Sequence, residues 1–99
     1  MATQKNISNY FSGEPFVVEA TLTDSSDAPI TSGTFTLQVA TATGIAASYE
    51  AVGSHSGAGV WVFNIGAMTG LGTKAYYEIN DSNAYILTYG TIDIKGTII

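Results

Sequence analysis

The chain has 99 residues, enough for one domain that buries about 65% of the surface its unfolded form exposes. Only 11% of the residues are charged. The chain has three lysines and eight carboxylates, so its net charge is −5. This shortage of basic side chains argues against nucleic-acid and anionic-membrane binding, and the absence of cysteine excludes disulfides and thiolate metal sites. No apolar run approaches the ~20 residues of a membrane-spanning helix.

Residues 1–14 show no sustained hydrophobic period, and we interpret them as an extended N-terminal arm ahead of a single domain at 15–99. The arm carries three apolar side chains, Ile7, Tyr10 and Phe11, in polar surroundings. If the arm does not pack on its own domain, these side chains need a partner, so they are candidate contact residues. The first residues lack the apolar segment of a secretory signal, which leads us to expect folding in the cytosol.

Two segments with a period of two follow the arm. Residues 15–24 alternate strictly, with Phe16, Val18 and Leu22 on one face, and residues 33–40 do the same. Such alternation predicts strands with one buried face. The Asp, Ser and Pro residues between the two segments predict a turn.

The middle of the chain gives weaker signals. Residues 45–52 predict a strand, and 53–59 predict a mobile loop of small residues. Residues 60–65 predict a further strand. In the glycine-rich loop that comes next, we expect Met68 and Leu71 to close one end of the core.

The last third of the chain has the pattern of a hairpin. Two runs of β-formers, 75–79 and 85–94, flank the polar cluster at 80–83. In the second run most of the large apolar residues before Gly90 occupy odd-numbered positions, and those after it occupy even-numbered positions. We therefore expect a β-bulge at Gly90 that moves the apolar side chains to the other face of the strand. About seven strands at a spacing of about ten residues predict an all-β fold, an antiparallel β-sandwich.

No pattern nominates a catalytic, cofactor or metal site. The sole histidine, His55, falls in the small-residue loop, where nothing fixes its tautomer. Asp24, Asp27 and Asp81 offer loop oxygens of the kind Ca²⁺ uses, but turn capping already explains them. A pair of carboxylates across a cleft would support an enzyme, and nothing in the sequence singles out such a pair. We therefore expect a protein that is not an enzyme.

The aromatic residues leave two interpretations open. Trp61 shares a face with Phe63, which predicts a core position; the alternative is a stacking platform of a carbohydrate-binding module. Tyr76 and Tyr77 are adjacent and must point to opposite faces of a strand. Tyrosines outside the core suit protein interfaces. We take Tyr76 and Tyr89 as candidate partner contacts.

The C-terminal segment is apolar and nearly uncharged. Residues 90–99 hold only Asp93 and Lys95 as charged side chains. Exposed strand edges are normally blunted by charge or proline, so we expect strand addition or close packing of a neighbour here. Ile98 and Ile99 are the last two candidate contact residues.

Several strand and turn segments form a further pattern, namely Asp24 with 28–39, 59–61, 77–79, Leu87 and 90–94. Together they resemble small immunoglobulin-like domains of tailed-bacteriophage virion proteins. The resemblance implies an immunoglobulin-like sandwich and a structural role in a virion assembled in the host cytoplasm. The implied role is capsid decoration or cement, bound through sheet edges and terminal arms, with a tail, baseplate or fibre adaptor as the alternative. The implied partners are the major capsid protein or tail components, within an oligomer or larger assembly.

Overall fold

The computed structural model describes residues 3–95, which form strands and no helix. The strands are β1 (Thr3–Gln4), β2 (Ile7–Phe11), β3 (Pro15–Thr21), β4 (Thr36–Ala40), β5 (Tyr49–Val52), β6 (Ser54–Gly57), β7 (Val60–Ala67), β8 (Lys74–Asn80) and β9 (Ile86–Lys95). The prediction of an all-β fold is confirmed. Residues 3–95 contain nine strand segments where about seven were expected, since the arm supplies β1 and β2 and the small-residue segment supplies β6.

The larger sheet has the order β1-β9-β8-β4-β5, and β2 also pairs with β9. β1 and β2 lie along successive stretches of the same edge of β9, so six strands fill five positions. Both run parallel to β9, whereas the β9-β8, β8-β4 and β4-β5 pairs are antiparallel. β9 therefore has a partner on each side.

The smaller sheet has the order β3-β7-β6 and is antiparallel throughout. Its β6 occupies most of the segment predicted to be a mobile loop, and this prediction was wrong. His55 lies on β6, and its Nε2 accepts a hydrogen bond from the Gly59 backbone N–H at 3.1 Å. Pairing with β7 and this bond hold a segment that has few β-forming residues.

One hydrophobic cluster lies between the two sheets, which makes the fold sandwich-like. The alternating residues of 15–24 and 33–40 enter it as predicted: Phe16, Val18, Leu22, Phe35, Leu37 and Val39 are all buried. Trp61 is also buried, with its indole N–H donating to the Ile30 carbonyl at 2.8 Å and its ring edge-on to Phe35 at 4.8 Å. The core prediction for Trp61 is confirmed.

The loop between β7 and β8 closes one end of this core. Met68 and Leu71 are both buried, as expected. Two tyrosine hydroxyls fix the loop backbone from different strands. The Tyr10 hydroxyl accepts from the Met68 N–H at 3.0 Å, and the Tyr49 hydroxyl accepts from the Thr69 N–H at 3.0 Å.

The connection between β1 and β2 crosses β9 at Gly90. The Lys5 N–H donates to the Tyr89 carbonyl at 2.9 Å, and the Asn6 side-chain oxygen accepts from the Thr91 N–H at 3.1 Å. The Lys5 carbonyl accepts a hydrogen bond from the Tyr77 hydroxyl. A Cβ on residue 90 would overlap that carbonyl, so glycine is required for the close approach of the arm.

One further expectation about strands was wrong, and another was right only in part. Gly90 is no bulge: even-numbered residues of β9 from Thr88 to Ile94 are buried without a change of face. The irregularity in this strand pair lies earlier, where Asn80 pairs with Ile86. The strand predicted at 45–52 begins only at Tyr49, because residues 41–48 form a loop.

Candidate functional site

A groove lies on the solvent side of the larger sheet, across β4, β8, β9 and the loop at 41–48. Its volume is about 230 Å³. We call it the outer groove; the lining residues that carry the argument are Gln38, Ile45, Tyr76, Glu78, Ile86 and Tyr89.

Strand alternation produces this groove. On β4 and β8 the odd-numbered residues are buried between the sheets, so the even-numbered Gln38, Tyr76 and Glu78 face outward. Tyr89 faces outward from β9 and is 40% exposed. The loop at 41–48 rises beside these strands and contributes Ile45, which is 54% exposed. Large apolar and aromatic side chains therefore surround a polar floor.

A row of polar side chains crosses the outer face of the sheet. Gln38 pairs with Glu50 on one side and with Glu78 on the other, and Glu78 pairs with Tyr89. Directly paired residues lie on the same face, with strands about 4.8 Å apart. The glutamine amide thus has one carboxylate on each side, that of Glu50 and that of Glu78.

Asn80 holds the Glu78 carboxylate in place from the next outward position of β8. Its Nδ2 donates to Glu78 Oε1 at 3.3 Å. Asn80 is itself buried, and its Oδ1 has no hydrogen-bond partner among residues 3–95. A buried acceptor without a donor is costly, and here it lies beside a carboxylate.

Tyr76 and Tyr89, both predicted as contact residues, are brought together in the outer groove. Ile7 and Phe11 lie on β2, and Ile7 is half-buried against the core. Ile98 and Ile99 lie outside the described residues.

Tyr10 is corrected from a contact residue to a core residue. It is 5% exposed, packs edge-on against Phe16 at 5.3 Å and donates its hydroxyl to the Glu14 carbonyl at 2.6 Å. Its burial follows from β2 pairing with β9, which turns this side chain into the space between the sheets.

The expected strand addition at 90–95 is also corrected. In this stretch β9 pairs with β8 on one side and with β2 on the other, so the chain's own N-terminal strand occupies the edge. Residues 96–99 lie outside the described part.

A second cavity, of about 290 Å³, lies between the arm and β3. Its lining includes Ile7, Tyr10 and Phe16. Because β2 and β3 belong to different sheets, this cavity marks one open side of the sandwich. It has fewer exposed large apolar side chains than the outer groove, with Val17 as the main one.

Sequence reasoning missed Ile45, Ile86, Gln38 and Glu78 as site residues. An isolated isoleucine within the small-residue segment 40–48 was the available signal for Ile45. The position of Ile86 depends on the strand irregularity opposite Asn80, and no local pattern reveals it.

Three further titratable groups have structural roles. Burial raises the pKa of the Tyr77 phenol, whose hydroxyl binds the arm. Asp24 Oδ1 accepts from the Ser26 and Ala28 N–H groups, and Asp81 Oδ1 accepts from those of Asn83 and Tyr85. Both carboxylates therefore cap turns.

Among residues 3–95, no three His, Cys, Asp or Glu side chains are grouped as a metal would need.

Comparison with known proteins finds no family. No protein-family model matches the sequence, and no curated protein is similar enough to it to serve as a relative. Within the part of the chain that the structure describes, no helix is long and apolar enough to cross a bilayer.

Proposed function

We propose that this chain is a non-enzymatic structural protein of a tailed-bacteriophage virion, a capsid decoration or cement protein that binds its particle through the outer groove. The observation that carries the proposal is the group of exposed large side chains around the groove, Ile45, Ile86 and Tyr89. Apolar and tyrosine side chains grouped on a surface favour protein contacts. The resemblance to virion domains supplies the biological setting.

The strand order supports an immunoglobulin-like type for the sandwich. In such a domain one sheet contains strands B, E and D, and the other contains C, F and G with an added C′. Here β3, β7 and β6 match the first set, and β4, β8, β9 and β5 match the second. The departures are Trp61, which lies on the E-type strand and not on C, and the lack of a cysteine pair.

The proposed surface differs from the expected one. The sheet edge at β9 is occupied by β1 and β2, and Tyr10 of the arm lies in the core. A face of the larger sheet replaces the edge and arm as the binding surface. Trp61 is buried, so it gives no support to a carbohydrate-binding module built on that residue.

Labelling of particles tests the location. Antibodies raised against the recombinant chain are applied to purified virions produced by the genome that encodes it, and electron microscopy locates the bound antibody. We expect antibody on the head. Antibody on the tail would favour the adaptor role instead, and unlabelled particles from a lysate that contains the protein would overturn the proposal.

Rebinding of variants tests the surface. Virions lacking the chain are mixed with Ile45→Asp or with Val52→Asp, a control that places the same charge on an exposed residue outside the groove. We expect Ile45→Asp to weaken particle binding by at least about tenfold, as for a central interface residue, and Val52→Asp to bind normally. Equal binding by the unsubstituted chain, Ile45→Asp and Val52→Asp would contradict the use of the groove.

A further inference from the structure

The outer groove contains a single charged group. Among the described residues that line it, Glu78 alone carries a charge. The Glu78 side chain is half-buried, and its one hydrogen bond within residues 3–95 comes from the neutral Asn80 amide. A half-buried carboxylate gains from a charge-assisted hydrogen bond, and the groove supplies no cation for it.

The surroundings of Glu78 are rich in acceptors. Gln38 pairs with it across the strands and also lines the groove, where its side-chain oxygen is a second acceptor, whereas Glu50 lies outside the lining. A ligand that brings several N–H donors matches this floor better than a neutral or acidic one.

The walls of the groove suit a long aliphatic stem. Ile45 and Ile86 are apolar, and Tyr76 and Tyr89 add aromatic rings. Lysine and arginine bury their methylene stems along such surfaces while the charged end reaches a polar group. Aromatic rings also attract a cation, and arginine stacks on them. The volume of about 230 Å³ is below the ~300–1,000 Å³ of pockets for drug-sized ligands, so one side chain fits its scale.

The net charge of the whole chain also favours a basic ligand. Its net charge is −5, so a basic surface is attracted before contact and an acidic surface is repelled.

We propose that the outer groove binds an arginine or lysine side chain presented by a partner protein, with Glu78 as its counter-charge. This inference rests on the proposed function, because it names the chemistry of the surface to which the chain binds. The basic end group donates to Glu78 and Gln38, and the stem packs between the isoleucines and tyrosines.

A peptide titration tests the ligand chemistry. The probe is acetyl-Gly-Arg-Gly-amide, added to the ¹⁵N-labelled full chain, and the control peptide carries citrulline, which has the shape of arginine without its charge. We expect saturable amide shifts at Tyr76, Glu78 and Tyr89 with the arginine peptide. Citrulline binding as strong as arginine, or no saturable shift at these residues, would overturn the proposal.

Two variants with the same charge change sharpen the test. Glu78→Gln removes the carboxylate of the groove, and Glu50→Gln removes an exposed carboxylate in the same row. We expect Glu78→Gln to weaken the arginine peptide by at least about tenfold, and Glu50→Gln by less than about twofold. If both variants lose the same affinity for the peptide, the loss comes from the lower net charge of the protein, and Glu78 is not a specific counter-charge.

Other occupants give distinct results. Saturable binding of a neutral sugar such as maltotriose to the groove, without binding of the arginine peptide, would assign the groove to saccharides. Concentration-dependent shifts of the same residues without any peptide would assign it to a second copy of the chain. Either result overturns the proposal.

The failure of this inference is separable from that of the proposed function. If the arginine peptide does not bind but Ile45→Asp still releases the chain from virions, the basic ligand is wrong and the virion role stands. If the peptide binds and virions carry no copy of the chain, the virion role is wrong and the ligand chemistry stands.

Discussion

The two faces of the larger sheet come from the same strands but have opposite uses. The inner face consists of side chains with almost no exposure, namely Leu37, Val39, Tyr77, Ile79 and Ile92. The residues of the outer face alternate with these along each strand and include those of the outer groove. In the proposed function, the inward residues provide stability and the outward residues provide binding, so a substitution at one position should affect one property and leave the other unchanged.

The adjacent residues Tyr76 and Tyr77 show the difference most directly. Tyr77 is 3% exposed and binds the arm through its hydroxyl, whereas Tyr76 is half-buried and lines the groove. The residue type is the same, and the direction of the side chain decides the role.

The largest expected effect is on the inner face. Leu37→Ala removes a fully buried side chain and should lower the free energy of unfolding by about 2–5 kcal/mol. The neighbouring outward substitution, Gln38→Ala, should change it by no more than about 0.5 kcal/mol. Urea denaturation of both variants measures the difference. Similar losses would mean that the outer face also carries stability.

The next effect concerns the arm. Gly90→Ala places a methyl group against the Lys5 carbonyl, so the arm must move, at a cost of about 1–3 kcal/mol. Hydrogen exchange should show lost protection of the Lys5 amide, which donates to Tyr89. Thr91→Ala on the opposite face of β9 is the control and should keep that protection. Full protection in Gly90→Ala would contradict the packing described for the crossing.

A smaller effect separates the two tyrosines. Tyr77→Phe leaves the Lys5 carbonyl without its hydroxyl partner and should destabilise the fold by about 1 kcal/mol. Tyr76→Phe should leave the free energy of unfolding nearly unchanged, since within residues 3–95 the Tyr76 hydroxyl makes no hydrogen bond to the core. Matched urea curves measure both, and equal midpoints would remove the distinction between the two faces at this pair.

The smallest effect is a pH dependence from Tyr77. Burial raises its pKa in the folded state, whereas the unfolded chain ionises near the ordinary value of about 10. Below that pH the phenol is neutral in both states. As the pH rises above about 10, the unfolded state loses its proton first, so the free energy of unfolding falls.

Urea curves between pH 9 and 11 measure this dependence. Comparison with Tyr77→Phe isolates the contribution of the one phenol. We expect the decline to be shallower in the variant, and identical slopes would show that other groups cause it.

Strict alternation made the central strands predictable. Residues 15–24 and 33–40 place most of their large apolar side chains on one face, and their burial follows because a pleated strand has a period of two. The core position of Trp61 was predictable for the same reason, because it shares a strand face with Phe63. Met68 was predictable on another ground, as a large apolar side chain in a loop at one end of the core.

Long-range pairing decided what the sequence did not reveal. β6 has little intrinsic strand preference and forms because β7 lies beside it. The role of Gly90 depends on Lys5, which is far away along the chain, so a local pattern suggested a bulge instead. The outer groove depends on a loop, three strands and a strand irregularity, and among its residues only Tyr76 and Tyr89 were predicted as contact residues.

The parallel placement of the first strands against β9 has a mechanical consequence. Thr3 lies beside Thr88, and Phe11 lies beside Lys95. Thr3 and Lys95 are therefore separated along β9 by roughly 23 Å, at ~3.3 Å per residue. Tension applied between Thr3 and Lys95 runs along the strands and loads their hydrogen bonds together in shear. The bonds cannot open one at a time from an end, and this geometry resists pulling forces that would unzip an antiparallel pair.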